Sequence, residues 1–171
     1  DKVGIMPSSE MVYMKLLFEK ETGKIYGAQA VGKGVVDKRI DVIGTLIKMG
    51  GTISDLHDLE LGYQPYYSTT EDINNVIASQ AINICSGRLP HVKFSDFCTT
   101  KDEYEIIDIR NETAFEECHI KGAKLFEGKK LRNEYEKLSK DKKILFYDET
   151  GVQSSNMIKM LHNLGFYNIY M

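Results

Sequence analysis

Long apolar runs are absent from this sequence of 171 residues. No run approaches the roughly 18 to 20 apolar residues that a membrane-spanning helix needs, and residues 1–4 lack the basic and apolar segments of a secretory signal. Proline is also scarce, with 3 residues, while 42% of the residues are hydrophobic and 27% are charged. This composition excludes a disordered or low-complexity chain. We therefore expect a globular, cytoplasmic protein with no membrane partner.

The sequence also lacks the patterns of disulfide-rich and metal-binding proteins. Cys85, Cys98 and Cys118 lie far apart and form no CxxC pair, so we expect reduced thiols rather than a disulfide scaffold or a zinc ribbon. The four histidines show no metal-ligand spacing, so no metal is expected. The net charge is −3 and neither half of the chain is basic, which argues against a nucleic-acid partner.

The first half of the chain has an α+β pattern. Alternating apolar residues predict an antiparallel hairpin from residues 12–18 and 25–31, with a turn between them. Helical spacing from Val36 to Ile47 predicts a helix, and residues 52–59 form a short helix with a capping box at Thr52. A long helix follows, capped by Thr69 or Thr70 and ended by Gly87. We predict an antiparallel sheet with helices for residues 1–87.

The second half alternates between strands and helices. Glycine and proline within residues 86–90 mark the domain boundary. The predicted strands are residues 105–109, 123–126, 143–147 and 167–170; the predicted helices are 113–118, 129–138 and 154–164, the last capped by Ser154 and Ser155. Such alternation predicts a small, mostly parallel sheet with helices on its faces. Residues 91–171 are therefore predicted to form a small α/β domain.

A glycine run at residues 27–34 imitates a phosphate-binding loop. It matches the first seven positions of GxxxxGK[ST], but Gly34 stands where a hydroxyl should bind magnesium. Asp37 replaces the third glycine of a dinucleotide fingerprint and would repel a pyrophosphate. We interpret the run as a structural glycine turn and expect no nucleotide site within this chain.

The segment from Tyr63 to Tyr67 places three tyrosines around Pro65. Tyrosine combines a large, stiff apolar ring with a hydroxyl, and it is enriched at interfaces. The loop either packs into the core of its own domain or forms an interface or a pocket lid. The residues alone favour neither interpretation.

Three segments of the first half carry a resemblance to a known family: KLLFEKETGKIYGAQAVG at 15–32, VDKRID at 36–41 and LELGYQP at 59–65. Over about residues 4–85 the chain resembles the dimerisation domain of the pyridine nucleotide-disulfide oxidoreductases, nearest to the coenzyme A-disulfide reductase and NADH oxidase branch. The resemblance implies a homodimer in which Tyr63 points toward the active site of the partner subunit. It also implies FAD and NAD(P)H on upstream domains, with neither cofactor held by this chain.

The second half resembles a rhodanese domain over about residues 92–171, through IDIR at 107–110, CHIKGA at 118–123, ILFY at 144–147 and LGFYNIY at 164–170. The family carries a persulfide on the cysteine of a CxxGxR loop. The loop here consists of Asp148, Glu149, Thr150, Gly151, Val152 and Gln153. We expect this degenerate loop to transfer no sulfur, and Asp148 to accept the amides of residues 151–153 itself. Cys118, where a glycine is usual, is expected to be a small buried filler.

The leading hypothesis is a C-terminal fragment of a flavin-dependent NAD(P)H oxidoreductase that acts on a disulfide, a persulfide or oxygen. The fragment would supply dimerisation and an inactive rhodanese-like domain, with no turnover by itself. An alternative is a binding module in which the rhodanese-like half docks a thiol carrier or another protein. A third hypothesis is that this half only braces the dimer.

Overall fold

The computed structural model describes Gly4, Pro7 and residues 9–171. The chain divides into two compact units, residues 1–86 and 87–171, each with its own core. Among the described residues, no helix is long and apolar enough to cross a membrane.

Unit 1 contains the predicted antiparallel hairpin. Strands β1 (Val12–Phe18) and β2 (Ile25–Gly32) pair with a register shift between Leu17 and Phe18. Three helices follow: α1 (Val36–Lys48), α2 (Ile53–His57) and α3 (Ile73–Cys85). Their buried apolar residues form one cluster with the inner face of the hairpin: Ile25, Ile43, Ile53, Leu56, Ala78 and Ala81. The α+β prediction for this half is confirmed.

Two helix starts in unit 1 test the capping predictions. Thr52 and Asp55 form the predicted capping box at α2. The prediction of Thr69 or Thr70 as the cap of α3 is wrong, because the carboxylate of Asp72 accepts the Asn74 amide at 3.0 Å. The hydroxyl of Thr69 bonds instead to the carbonyl of Glu71, two residues along the chain. An aspartate nearer the helix takes the role that the threonines were assigned.

The glycine run has a packing role. Residues 27–32 lie within β2 as extended strand, so they do not form a phosphate-binding turn at a helix start. A Cβ atom at Gly32 would lie 2.5 Å from the carbonyl oxygen of Met11, closer than any side-chain carbon approaches an oxygen. Gly32 therefore has a packing role, and the predicted glycine turn is wrong for residues 27–32, which form strand.

Unit 2 contains a parallel four-stranded sheet of order β4-β3-β5-β6. The strands are β3 (Tyr104–Asp108), β4 (Lys124–Leu125), β5 (Lys143–Tyr147) and β6 (Ile169–Tyr170). The helices are α4 (Phe94–Thr100), α5 (Glu112–Glu117), α6 (Gly128–Glu134) and α7 (Val152–Asn163), with 3₁₀ turns at Lys101–Glu103 and Tyr135–Lys137. The predicted α/β class is confirmed.

Two helices in unit 2 depart from the sequence-based predictions. Helix α4 was not predicted, and none of its residues is buried, so it has no apolar stripe for periodicity to detect. Helix α7 begins after Gly151, whose φ of 77° is left-handed, so Ser154 and Ser155 do not cap it. Ser154 instead lies buried in the first turn.

Candidate functional site

The first candidate site is the tyrosine loop, which we define as residues 61–68 of unit 1. Tyr63, Tyr66 and Tyr67 are 49%, 59% and 66% exposed, so their rings do not pack into the core of the unit. The loop backbone is nevertheless ordered around Gln64, whose carbonyl accepts the amides of Tyr67 and Ser68 at 2.8 and 3.0 Å. The loop therefore holds large aromatic rings in solvent on a hydrogen-bonded turn, which favours the interface interpretation over core packing.

A buried ion pair lies behind the tyrosine loop. Arg39 of α1 is 3% exposed, and its Nη2 atom lies 3.4 Å from the Asp72 carboxylate that caps α3. The Asn74 side chain is fully buried and donates to the carbonyl of Arg39 at 3.3 Å. These contacts connect α1 to the first turn of α3, which is the point where the chain leaves the tyrosine loop.

The second candidate site is the Asp148 loop, residues 148–153 of unit 2, which joins β5 to α7. The Asp148 carboxylate accepts the Ser154 amide at 3.1 Å and the Ser154 hydroxyl at 2.5 Å. It also accepts the amides of Gln153 at 3.3 Å and Thr150 at 3.4 Å. Self-capping by Asp148 was predicted for residues 151–153, and of those only Gln153 contributes its amide. The converging amides at the start of α7 are thus occupied by a carboxylate from the same loop.

The Asp148 loop has no sulfur nucleophile of its own. A carboxylate does not form a persulfide, and the amide of Gln153 carries no charge to hold an anionic donor. The described residues contain no cluster of three His, Cys, Asp or Glu side chains suited to a metal. The hydrogen bonds of Asp148 therefore stabilise the loop conformation and provide no nucleophile for sulfur transfer.

An ion pair lies at the end of β3, the strand that pairs with β5. The Asp108 side chain is fully buried at the end of β3, and both its oxygens contact the Arg110 guanidinium at 2.7 to 3.1 Å. Burial raises the pKa of the Asp108 carboxyl, but hydrogen bonds from Arg110 and Tyr147 outweigh burial and hold the pKa below its usual 3.8. Burial, followed by the bond to Asp108, raises the pKa of Tyr147. The carboxylate is therefore stable in its charged form.

A pocket of about 520 Å³ opens above the Asp148 loop. It is lined by Ile109, Arg110, Asn111, Ala114, Glu127, Gly128, Lys129, Asp148, Glu149, Thr150 and Gln153. Its charged lining residues are two cations, Arg110 and Lys129, and three acids, Glu127, Asp148 and Glu149. The lining mixes polar and apolar groups with both signs of charge, so it suits a polar ligand better than a simple anion.

Cys118 lies beside this pocket, and the prediction that it is buried is wrong. Its side chain is exposed, and its carbonyl accepts a 2.6 Å hydrogen bond from Arg110. It lines a smaller pocket of about 230 Å³ that also includes Tyr147 and Asp148. Arg110 thus pairs with buried Asp108 and also donates to the backbone at Cys118. This linking role was not predicted from the sequence, although Arg110 belongs to the IDIR segment. The alternation of charge and apolar residues in IDIR is the only signal that pointed to it.

Comparison with known families matches each half of the chain separately. Residues 1–73 match the family described as pyridine nucleotide-disulphide oxidoreductase, dimerisation domain, and residues 95–171 match the rhodanese-like domain. The coenzyme A disulfide reductase of Staphylococcus epidermidis is 37% identical over 78 residues, which are 46% of this chain and 18% of that protein. The chain therefore spans less than a fifth of such curated relatives.

Two solved structures resemble the chain over 99% of its length. Reduced CoADR-RHD from Bacillus anthracis is 35% identical, with a TM-score of 0.93, and this chain covers 30% of it. A NAD-dependent persulfide reductase from A. fulgidus is 30% identical, with a TM-score of 0.86, and the coverage is again 30%. Both similarities include the hairpin unit and the parallel-sheet unit, which supports the assignment of two different domains to the two halves.

Proposed function

Because the chain consists of a pyridine nucleotide-disulphide oxidoreductase dimerisation domain followed by a rhodanese-like domain, we propose that it is the C-terminal part of a flavin-dependent NAD(P)H oxidoreductase. The reduction of a disulfide or a persulfide is the preferred reaction. The names of similar proteins support it, since they include a coenzyme A disulfide reductase and a NAD-dependent persulfide reductase. Oxygen remains an alternative electron acceptor.

The proposed cofactors are FAD and NAD(P)H: the nicotinamide would supply two electrons as a hydride to the flavin, and the reduced flavin would pass two electrons to the acceptor. The glycine run at residues 27–32 is extended strand, so it does not supply a phosphate-binding loop for either cofactor. In this proposal both cofactors bind to upstream domains of a longer protein.

In the proposed assembly, residues 1–87 form a homodimer. The observation that carries this proposal is the exposure of three tyrosine rings on a loop whose backbone is hydrogen-bonded. Exposed rings on an ordered loop are suited to bury against another surface. The hydroxyl of Tyr63 would face the partner subunit's active site, where a phenol can donate a hydrogen bond to a thiolate or transfer a proton.

In the same proposal residues 91–171 transfer no sulfur. The loop that holds the reactive cysteine in rhodaneses begins here with Asp148, and the carboxylate already occupies the amides of Thr150, Gln153 and Ser154. A sulfur donor would have to displace a covalently tethered anion before it reached these amides.

The test is to express the longer protein and measure three properties: bound flavin, oxidation of NADH or NADPH with coenzyme A disulfide, and mass by sedimentation. We expect bound flavin, acceptor-dependent oxidation and a dimer. For this chain alone we expect a species of twice 19.5 kDa at micromolar concentration. A longer protein without flavin, or one that oxidises NAD(P)H only with oxygen, would contradict the preferred reaction.

A second candidate function is docking of a thiol carrier by residues 91–171. The pocket above the Asp148 loop favours it, since a cavity of about 520 Å³ persists without the catalytic cysteine. Calorimetric titration of this chain with coenzyme A tests the hypothesis, with Lys129→Ala as the matched variant. Binding that weakens in the variant would support docking, whereas no heat of binding would exclude coenzyme A as the ligand.

A further inference from the structure

The tyrosine loop begins shortly after helix α2, and the last carbonyl groups of this helix are paired by a side chain of another helix. Helix α2 is only five residues long, so the carbonyls of its last turn have no partner within the helix. The side chain of Asn75, in α3, supplies that partner. Its Nδ2 atom donates to the carbonyls of His57 and Leu59, at 2.9 Å each, and lies 3.5 Å from the carbonyl of Leu56. Both amide hydrogens of one side chain are thereby used on the segment that enters the loop.

The other end of the loop is held by the same helical turn. Asp72 caps α3 and pairs with buried Arg39, and Asn75 follows three residues later. Segments on both sides of the loop therefore attach to the first turn of α3. The first turn of α3 therefore contributes to fixing the separation of the two ends, beside the apolar packing of α2 against α3.

A cavity, rather than packed side chains, lies between the two ends of the loop. It has a volume of about 370 Å³, and its lining comes from residues 57–62 on one side and 68–72 on the other, together with Asn75. Most of the residues that line this cavity have polar side chains. The hydrogen bonds of Asn75 are thus a principal connection across the base of the loop.

We infer that Asn75 is a positioning residue for Tyr63: it fixes the base of the tyrosine loop and so the place at which the Tyr63 hydroxyl is offered to a partner subunit. The inference rests on the function proposed for Tyr63. A small displacement of a reacting group is costly, since about 1 Å of misplacement lowers turnover by up to about 100-fold.

The decisive variant is Asn75→Asp. It keeps the size of the side chain, but it replaces the NH2 group and its two N–H donors with a carboxylate oxygen. That oxygen would face the three carbonyl oxygens that Asn75 contacts. An acidic residue in the first turn of a helix is favourable, so α3 itself is retained. Ser79→Ala is the matched control: Ser79 lies one turn further along the same face of α3 and contacts the His57 ring at 3.1 Å, without contacting the backbone that enters the loop.

The first experiment is hydrogen exchange on this chain, and it needs no activity. The amides of Tyr66, Tyr67 and Ser68 are hydrogen-bonded within the loop and report its order. We expect their exchange to accelerate roughly tenfold in Asn75→Asp, the loss expected for one to two net hydrogen bonds. Exchange in β5 and in the Ser79→Ala chain should be unchanged.

If Asn75→Asp unfolds unit 1, Asn75→Ser replaces it, because the shorter donor of serine does not span the same carbonyls. Unchanged loop exchange in the folded variant would overturn the inference.

The second experiment is a double-mutant cycle in the longer protein, which measures kcat for NADH oxidation with coenzyme A disulfide. If Asn75 acts through Tyr63, Asn75→Asp lowers kcat about tenfold or more in the parent protein and has little further effect in a Tyr63→Phe background. Equal losses in both backgrounds would contradict a positioning role. If Asn75→Asp accelerates exchange in the loop but Tyr63→Phe has no effect on kcat, Asn75 still fixes the loop and the proposed role of Tyr63 is refuted. Failure of the inference about Asn75 can therefore be told apart from failure of the proposed function.

Discussion

The tyrosine loop of unit 1 and the Asp148 loop of unit 2 use their polar groups in opposite ways. In the Asp148 loop, one carboxylate accepts the amides of Thr150, Gln153 and Ser154, so the loop closes on itself. In the tyrosine loop, the backbone is satisfied by Gln64 while three rings remain exposed. A loop with free apolar rings gains stability when it meets a second surface, whereas a self-bonded loop gains little. This difference is consistent with the proposed partner contact of unit 1 and the proposed inactive site of unit 2.

Each unit nevertheless contains a buried aspartate paired with an arginine. Arg39 pairs with Asp72 behind the tyrosine loop, and Arg110 pairs with Asp108 beneath the Asp148 loop. Each arginine also donates to a backbone carbonyl, of Val35 and Cys118 respectively. The two units therefore share this type of ion pair and differ in what their loops expose.

The largest expected effect comes from breaking these pairs. Arg39→Met and Arg110→Met each leave a buried aspartate without its cation, which typically costs about 3 to 5 kcal/mol. Hydrogen exchange resolved by unit should show the loss in unit 1 for Arg39→Met and in unit 2 for Arg110→Met. Lys130→Met, which breaks an exposed pair with Glu127, is the control and should leave exchange unchanged. Unchanged exchange in a substituted unit would show that its ion pair is dispensable.

A smaller effect is expected from Asp148→Ala, which removes the acceptor of the Asp148 loop. The Ser154 amide and hydroxyl are buried and lose their acceptor in this variant, so we expect a loss of about 1 to 3 kcal/mol in the free energy of unfolding. Urea unfolding measures it, with Glu149→Ala as the control on the neighbouring exposed carboxylate. A stabilising effect would mean that the carboxylate strains the loop instead of satisfying it.

The buried Asp108 predicts an acid dependence of the stability of unit 2. Its folded pKa lies below the usual 3.8, so it stabilises unit 2 above that pH and the contribution is lost as the pH falls through the lowered value. Thermal unfolding between neutral pH and pH 3 should show stability falling at the acid end. Asp108→Asn should reduce that slope. An equal slope in the variant would assign the acid sensitivity to other carboxylates.

The smallest effect on stability is expected at Tyr63. Its ring is 49% exposed, and Tyr63→Phe removes only the hydroxyl, so unfolding should change by less than about 0.5 kcal/mol. Turnover of the longer protein should fall, because the proposed role belongs to the hydroxyl. A variant that unfolds early with full specific activity would instead show that the hydroxyl serves packing.

The parts predicted correctly are those with a repeating pattern. The hairpin at residues 12–18 and 25–31 and the parallel strands of unit 2 follow from alternation and from apolar runs between turns. The errors at the starts of α3 and α7 arose because several neighbouring residues could cap each helix. Asp72 caps α3 in place of two threonines, and the left-handed Gly151 starts α7 before the serines. None of the residues of helix α4 is buried, so the helix has no periodic apolar pattern from which it could be predicted.

The candidate sites were predictable in composition but not in geometry. The lost cysteine at position 148 was evident from the loop sequence, whereas the acceptance of the Ser154 amide and hydroxyl required the fold. Periodicity gives no information about exposure at a single loop position, which explains the error at Cys118 and the open question at Tyr63. The role of Asn75 was hidden for a related reason: its carbonyl partners are 16 to 19 residues away in sequence.

The most direct test of the account is sulfur transfer from thiosulfate to cyanide by this chain, with Cys85 and Cys98 replaced by serine. The account predicts no thiocyanate above a buffer blank, because Asp148 accepts no sulfane sulfur and closes its own loop. Restoring Asp148→Cys with Gln153→Arg should recover some activity if the loop keeps the rhodanese shape. Thiocyanate formed by the chain before that restoration would identify the exposed Cys118 as the nucleophile and contradict the assignment of a closed, inactive site to unit 2.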